Sequence, residues 1–209
     1  MPTSIAEHVI YTQNELRDLP YYQQMFSILK TEPITSYLDI GANTGEYAKT
    51  VYNNIPTIKK YFLIEPEEEN FNFMLSHIAD LEGCVFYNFA IGYDSTCGNL
   101  VRSSNMGGHQ IEKLSSGGDT QIKTLESLEI PIVDLIKMDV EGMEYEIIQK
   151  SSYLKKVKWL DIEFHQTPDQ SKNHFVKKFI LENLPTFDII VYEDDGVNDY
   201  GRCLLKNRI

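Results

Sequence analysis

Cysteine is scarce in this chain: Cys84, Cys97 and Cys203 are the only three among 209 residues. An odd, widely spaced set excludes a disulfide framework, and no pair has the spacing of metal ligands. Cys84 precedes the apolar pair Val85-Phe86 and is expected in the core. Long hydrophobic runs are missing too. None approaches the roughly 20 residues that a helix needs to span a bilayer. Met1 to Ile10 show no basic stretch followed by an apolar one, so no secretory signal is read there. The expectation is a cytoplasmic, reduced protein. Basic charge is also short, with 19 Lys and Arg against 31 Asp and Glu and a net charge of −12. Gripping a long phosphate backbone needs clustered bases. The run Lys155-Lys156-Val157-Lys158 is too short for that, so nucleic acid is not an expected partner. The acid excess fits a well-solvated surface and leaves small neutral ligands open. What the chain does have is 42% hydrophobic residues, enough to bury the core of one domain of ordinary size.

Those apolar residues are arranged in a pattern. Residues 4–31 read as one or two amphipathic helices broken near Pro20. From residue 34 onward, short apolar runs alternate with helix-like segments. The spacing predicts strands at 34–40, 61–65, 85–89, 133–139, 157–164 and 187–192, and helices at 46–54, 67–79, 143–151 and 170–181. Such alternation implies an α/β fold, a doubly wound and mostly parallel sheet with helices on both faces. The tail Asp194-Asp195-Gly196-Val197-Asn198-Asp199 reads as a hairpin turn that returns residues 200–206 as an antiparallel strand at the end of the sheet. Residues 97–119, rich in glycine and serine, break the alternation. An insertion of that length is expected to be a loop or small hairpin over the active site. Residues 1–32 are thus expected as N-terminal helices and 33–209 as one domain carrying the insertion.

The sharpest local signal is Tyr37-Leu38-Asp39-Ile40-Gly41-Ala42-Asn43-Thr44-Gly45, an apolar strand running into a glycine-rich turn that opens a helix. Glycine lets backbone approach a ligand closely, and asparagine is the side chain that best tolerates a left-handed conformation. A dinucleotide fingerprint would need glycine at positions 43 and 46, which hold Asn43 and Glu46. The pattern D-x-G-x-N-x-G resembles instead the first motif of class I S-adenosylmethionine (SAM) methyltransferases. SAM carries a sulfonium and an ammonium, so an acid at Asp39 suits it where it would repel a phosphate. The next strand ends in Glu65-Pro66, with Glu65 24 residues beyond Gly41. That is close to the roughly 20 expected of an acid accepting from both ribose hydroxyls. Small Ala90, in Ala90-Ile91-Gly92, leaves room for adenine. The expected cofactor residues are Asp39, Gly41, Asn43, Thr44, Gly45, Glu65, Pro66, Ala90 and Asp139.

A second signal is Leu135-Ile136-Lys137-Met138-Asp139-Val140-Glu141-Gly142-Met143-Glu144. If the strand stays extended, Asp139 and Glu141 share one face. This strand should neighbour the first across the switch point where ligands bind. The next strand, Trp159 to His165, ends in Glu163 and His165, again two apart. Asp139, Glu141, Glu163 and His165 are the expected catalytic residues.

Together, Asp39 to Gly45, Glu65-Pro66, Ala90-Ile91-Gly92 and Leu135 to Glu144 resemble the FkbM family of SAM-dependent methyltransferases, from about residue 36 to 193. The last motif is the most diagnostic. The resemblance implies a Rossmann-like class I fold, SAM as cofactor, and O-methylation of a sugar hydroxyl on a glycan or glycoconjugate. The family often shows Thr-Leu-Asp before its fourth main strand, where this chain has Thr124-Leu125-Glu126. A neutral hydroxyl is a poor nucleophile and needs its proton removed. His165 is the natural base near neutral pH, since an unperturbed imidazole titrates at about 6.5, and Asp139 or Glu163 could orient it or act directly. Alternatively, Asp139, Glu163 and His165 could hold Mg²⁺ or Mn²⁺. Two other readings are an RNA 2′-O-methyltransferase, opposed by the acidic balance, and an inactive SAM fold serving as an interaction module, opposed by the retained acids.

Overall fold

A computed structural model describes residues 4–103, 110–114, 117–165, 174–194 and 201–209. Two helices come first, α1 (Ile5–Asp18) and α2 (Pro20–Leu29). Leu19 between them is extended, at φ −74° and ψ 129°, the conformation to which a residue before proline is driven. Pro20 then opens α2 at a position where a helix does not use the N–H. Ser4 caps α1 by accepting from the Glu7 amide.

The main sheet is built from β1 (Ser36–Ile40), β2 (Lys60–Ile64), β3 (Cys84–Tyr87), β8 (Leu135–Met138), β9 (Trp159–Phe164), β10 (Phe187–Asp194) and β11 (Gly201–Asn207). Its order is β10-β11-β9-β8-β1-β2-β3. The five strands from β9 to β3 run parallel. They are connected through α3 (Glu46–Asn54), α4 (Glu68–His77) and α5 (Glu144–Lys150), with α6 (His174–Asn183) leading into β10. β1 and β8 are buried along nearly their whole length, as parallel strands covered on both faces must be. Alternate side chains of β1 enter opposite cores. Leu38 and Ile40 pack with Phe62, Ile136 and Phe164. Tyr37 packs instead with Tyr61, Leu135 and the residues Leu16, Tyr22 and Met25 of α1 and α2. This is the expected α/β class.

Three local features differ from expectation. β11 is not at the edge. It inserts antiparallel between β9 and β10, with every residue but Lys206 buried, because both its neighbours and both its faces are covered. Cys84 is only half-buried and Val85 is exposed, since β3 is the edge strand. The insertion is not a bare loop. Here β4 (Ala90–Ile91), β5 (Thr96–Val101), β6 (Gln110–Leu114) and β7 (Thr120–Lys123) form a second small sheet, in which β5 and β6 make an antiparallel hairpin. Residues 104–109 and 115–116 of the insertion lie outside the described residues, as do 170–173 of the expected helix, 195–199 of the expected turn and 200 of the strand expected after it. Among the described residues, no helix is long and apolar enough to cross a membrane.

Candidate active site

The turn after β1 is held by its own backbone. The amides of Gly41 and Ala42 both donate to the Ile64 carbonyl, at 3.0 and 2.9 Å, and the Gly45 amide donates to Ala42 at 2.9 Å. Asn43 is left-handed at φ 50°, and its amide donates to Glu65 Oε2 at 2.8 Å. These donors are therefore committed internally rather than aimed at an anion. Gly41 is needed for packing more than for ligand approach. At φ 83° it lies so close to β8 that a Cβ would fall 1.9 Å from the Asp139 carbonyl oxygen. Glu65 is buried, with Oε1 accepting from the Glu67 amide at 2.8 Å. Burial pushes its carboxyl up to about 7, against the opposing pull of those two amides. Glu65, Pro66, Ala90, Gly41 and Asn43 line one narrow pocket of about 60 Å³, together with Asn70 and Ile111.

Beside it opens a cleft of about 610 Å³, lined by Asn43, Thr44, Lys137, Asp139, Glu141, Glu163 and His165 and walled by Tyr11, Thr12 and Glu15 of α1. Asp139 and Glu141 do meet, although not as alternate residues of a strand. β8 ends at Met138, and left-handed Glu141 (φ 53°) followed by Gly142 (φ 109°) folds the chain back. Glu144 fixes that fold: fully buried, it accepts from the amides of Val140 and Gly142 at 3.0 and 3.1 Å. The same side chain holds His165 Nδ1 at 3.1 Å. His165 Nε2 then faces Glu163 at 3.5 Å, Glu141 at 3.6 Å and Asp139 at 3.9 Å. Burial alone would lower the His165 pKa, but the hydrogen bonds and charges of Glu144, Glu163 and Asp139 outweigh it and raise it well above the usual value. The shift favours the protonated imidazole, where the sequence reading took an unperturbed one titrating at about 6.5. Glu141 is pushed up to about 8, by burial first and by the charge of Asp139 next.

One more charge organises the site. Asp39, Lys137 and Asp161 lie in register on three adjacent strands. Lys137 Nζ donates to the Gly41 carbonyl at 2.9 Å and to Asp139 Oδ2 at 3.2 Å, and lies 3.6 Å from Asp39 Oδ1. Asp39 is fully buried, accepts from the Tyr37 hydroxyl at 2.9 Å, and lines neither pocket. Of the expected cofactor residues, Asp39 thus stands behind Lys137, which itself lines the wide cleft.

Comparison with known proteins decides the class. The family model described as methyltransferase FkbM domain matches residues 39–188, well over half of the chain. The chain belongs to the FkbM methyltransferase family. A hexuronic acid methyltransferase, AglP of Haloferax volcanii, is 27% identical over 164 residues, covering 74% of this chain and 66% of that protein. A crystal structure of methyltransferase FkbM from Methylobacillus flagellatus KT superposes with a TM-score of 0.58 at 17% identity, covering 83% of this chain and 44% of the other. A SAM-dependent methyltransferase from Aquifex aeolicus gives 0.53 at 14% identity over 97% of both chains. At those identities the structures speak to the fold. The chain spans less than half of the Methylobacillus protein and just under two thirds of AglP.

In this FkbM methyltransferase, Asp139, Glu141, Glu163 and His165 are brought together, and Asn43, Glu65, Pro66 and Ala90 line the pocket beside them. Thr44 faces the wide cleft, whereas left-handed Gly45 (φ 84°) packs against Met74 and Ile78 and lines neither pocket. The donor set fits SAM: carboxylates for a sulfonium and an ammonium, and a buried acid for a diol. For a hard cation, one ligand atom each from Asp139, Glu141 and His165 lie within 4.8 Å of one another. Glu141 thus takes the place expected of Glu163, which Arg202 Nε holds at 3.0 Å. Glu126, standing where the family often has aspartate, accepts from the Ser152 and Tyr153 amides at 2.7 and 2.9 Å, a structural role. Lys137, Glu144 and Arg202 were not singled out from the sequence. A lysine inside the apolar run Leu135 to Met138 was the available signal for Lys137.

Proposed function

We propose that this methyltransferase transfers the SAM methyl group to a sugar hydroxyl of a glycan or glycoconjugate, with Glu65 and the glycine turn holding the donor. The observation that carries this reading is the convergence of Asp139, Glu141, Glu163 and His165 at one side of a cleft that adjoins the pocket of Glu65. SAM, when bound, supplies an electrophilic methyl carbon on a sulfonium. What the chain must add is orientation and a destination for the hydroxyl proton. Burial raises both Asp139 and Glu141, and a raised carboxyl such as Glu141 is a stronger base when ionised than an ordinary glutamate. Lys137 holds Asp139 in place, and Glu144 orients the imidazole. A carbohydrate acceptor is supported by AglP, described as acting on hexuronic acid. A sugar carboxylate would need no base, so a buried proton-accepting cluster favours a hydroxyl.

The test is mass spectrometry of glycans incubated with enzyme and SAM, with fragmentation to place the added methyl group. His165→Gln is expected to lower turnover by on the order of 10²–10⁴-fold with little change in affinity for S-adenosylhomocysteine (SAH). If Mg²⁺ or Mn²⁺ assists at Asp139, Glu141 and His165, EDTA will stop turnover and either ion will restore it. A chelator-insensitive enzyme whose His165→Gln variant keeps full rate removes both the metal and any part of His165 in handling the hydroxyl proton, and methyl esters as the sole product overturn the hydroxyl assignment.

A further inference from the structure

Asn70 is the one polar side chain lining the narrow pocket for which neither sequence nor family motif supplied a role. It lies in the first turn of α4, where its amide donates to the Glu67 side chain at 2.8 Å. Its carboxamide is 1% exposed, and neither Oδ1 nor Nδ2 has a hydrogen-bond partner. A buried polar group without partners costs on the order of 1–3 kcal/mol, and this one has two orphaned atoms. It also lines the narrow pocket beside Glu65. The other walls are largely apolar, among them Pro66, Phe89, Ile91, Ile111 and Met143. Asn43, Glu65, Asp139 and Glu141 also line it, but the Asn70 carboxamide set among those apolar walls suits a flat heteroaromatic ring whose edge presents a donor next to an acceptor.

We infer that Asn70 reads the adenine edge of the methyl donor, Oδ1 accepting from the 6-amino group and Nδ2 donating to the neighbouring ring nitrogen. The inference rests on the donor-site reading above. Glu65 takes the ribose diol, a donor pair that matches a carboxylate, and that leaves the base for the amide. The two residues divide the nucleoside between them. Glu65 recognises any ribonucleoside, and Asn70 selects among bases.

Two ligands separate this role from a structural one: adenosine, and purine riboside, which lacks the amino group. Calorimetry with SAH and competition with the two nucleosides are read on the wild type and on Asn70→Ala. The wild type is expected to prefer adenosine about tenfold, the scale of one buried hydrogen bond. Asn70→Ala should weaken SAH by about tenfold or more and bind the two nucleosides equally. Unchanged SAH affinity in Asn70→Ala overturns the inference, as an amide satisfied by ordered water would produce. Equal losses for both nucleosides also overturn it, by placing Asn70 on the ribose. The wild-type preference needs no variant, so equal binding there overturns it even if Asn70→Ala fails to fold. If the wild type binds no SAH at all, the donor-site reading falls together with it.

Discussion

Glu65 shows what a single buried carboxyl dictates, with both oxygens on backbone amides and a titration point raised to about 7. The sign follows from burial. A carboxyl whose pKa is raised on folding favours the folded state when protonated, and that contribution declines as pH rises from the ordinary glutamate range towards 7. Ribose hydroxyls require the ionised form. SAH affinity is therefore expected to rise between about pH 6 and about pH 8, while protein stability contributed by this group falls. Glu65→Gln should flatten the affinity profile and lower its plateau, as calorimetry across pH would read. A wild-type profile without a rise through neutrality would remove Glu65 from the ribose. The residue itself was legible in sequence, because an acid at a strand end is a local pattern. Its protonation was not, since that depends on what covers it.

At the scale of elements, the hairpin and the first helix divide the work between them. The sequence places the insertion over the active site without saying which part of it the hairpin covers. In the structure, Ile111 of β6 lines the narrow pocket of Glu65, while Tyr11, Thr12 and Glu15 of α1 wall the wide cleft. Replacing residues 100–111 by Asn-Gly rejoins the paired Asn99 and Glu112 through a two-residue turn. That variant is expected to weaken SAH binding measured by calorimetry. Tyr11→Ala should instead raise the acceptor KM and leave SAH affinity unchanged, as steady-state kinetics would show. The opposite pattern would place the acceptor site at the hairpin. Helix and strand positions were legible to within a few residues because apolar period encodes them. The partner each element covers was not, because docking joins segments remote in sequence.

Across the whole molecule, a buried carboxylate fastens the N-terminal helices to the sheet, beside the links of Arg202 with Glu15 at 3.3 Å and of Gln13 with Glu46 at 3.0 Å. Asp161 of β9 accepts from the Tyr21 hydroxyl of α2 at 2.6 Å and from the Tyr47 hydroxyl of α3, and burial raises it to about 6. Tyr21→Phe leaves that carboxylate one donor short and is expected to cost about 1–3 kcal/mol. For a chain of this size each kcal/mol lowers the melting temperature by about 2–4 °C, which calorimetry or circular dichroism reads. An unchanged melting temperature would mean that the Tyr21–Asp161 bond adds nothing to the docking of these helices. The sequence by itself determined the alternation of strands and helices, the glycine turn, and the acids at strand ends, because each is written in contiguous residues through period and turn chemistry. Only the tertiary structure decided that Asp39 faces Lys137, that His165 lies among Glu144, Glu163, Glu141 and Asp139, that α1 walls the wide cleft, and that Asn70 lies unpartnered beside Glu65. Those outcomes depend on strand register and on contacts between segments more than a hundred residues apart, such as Tyr21 with Asp161, and no local pattern carries that information.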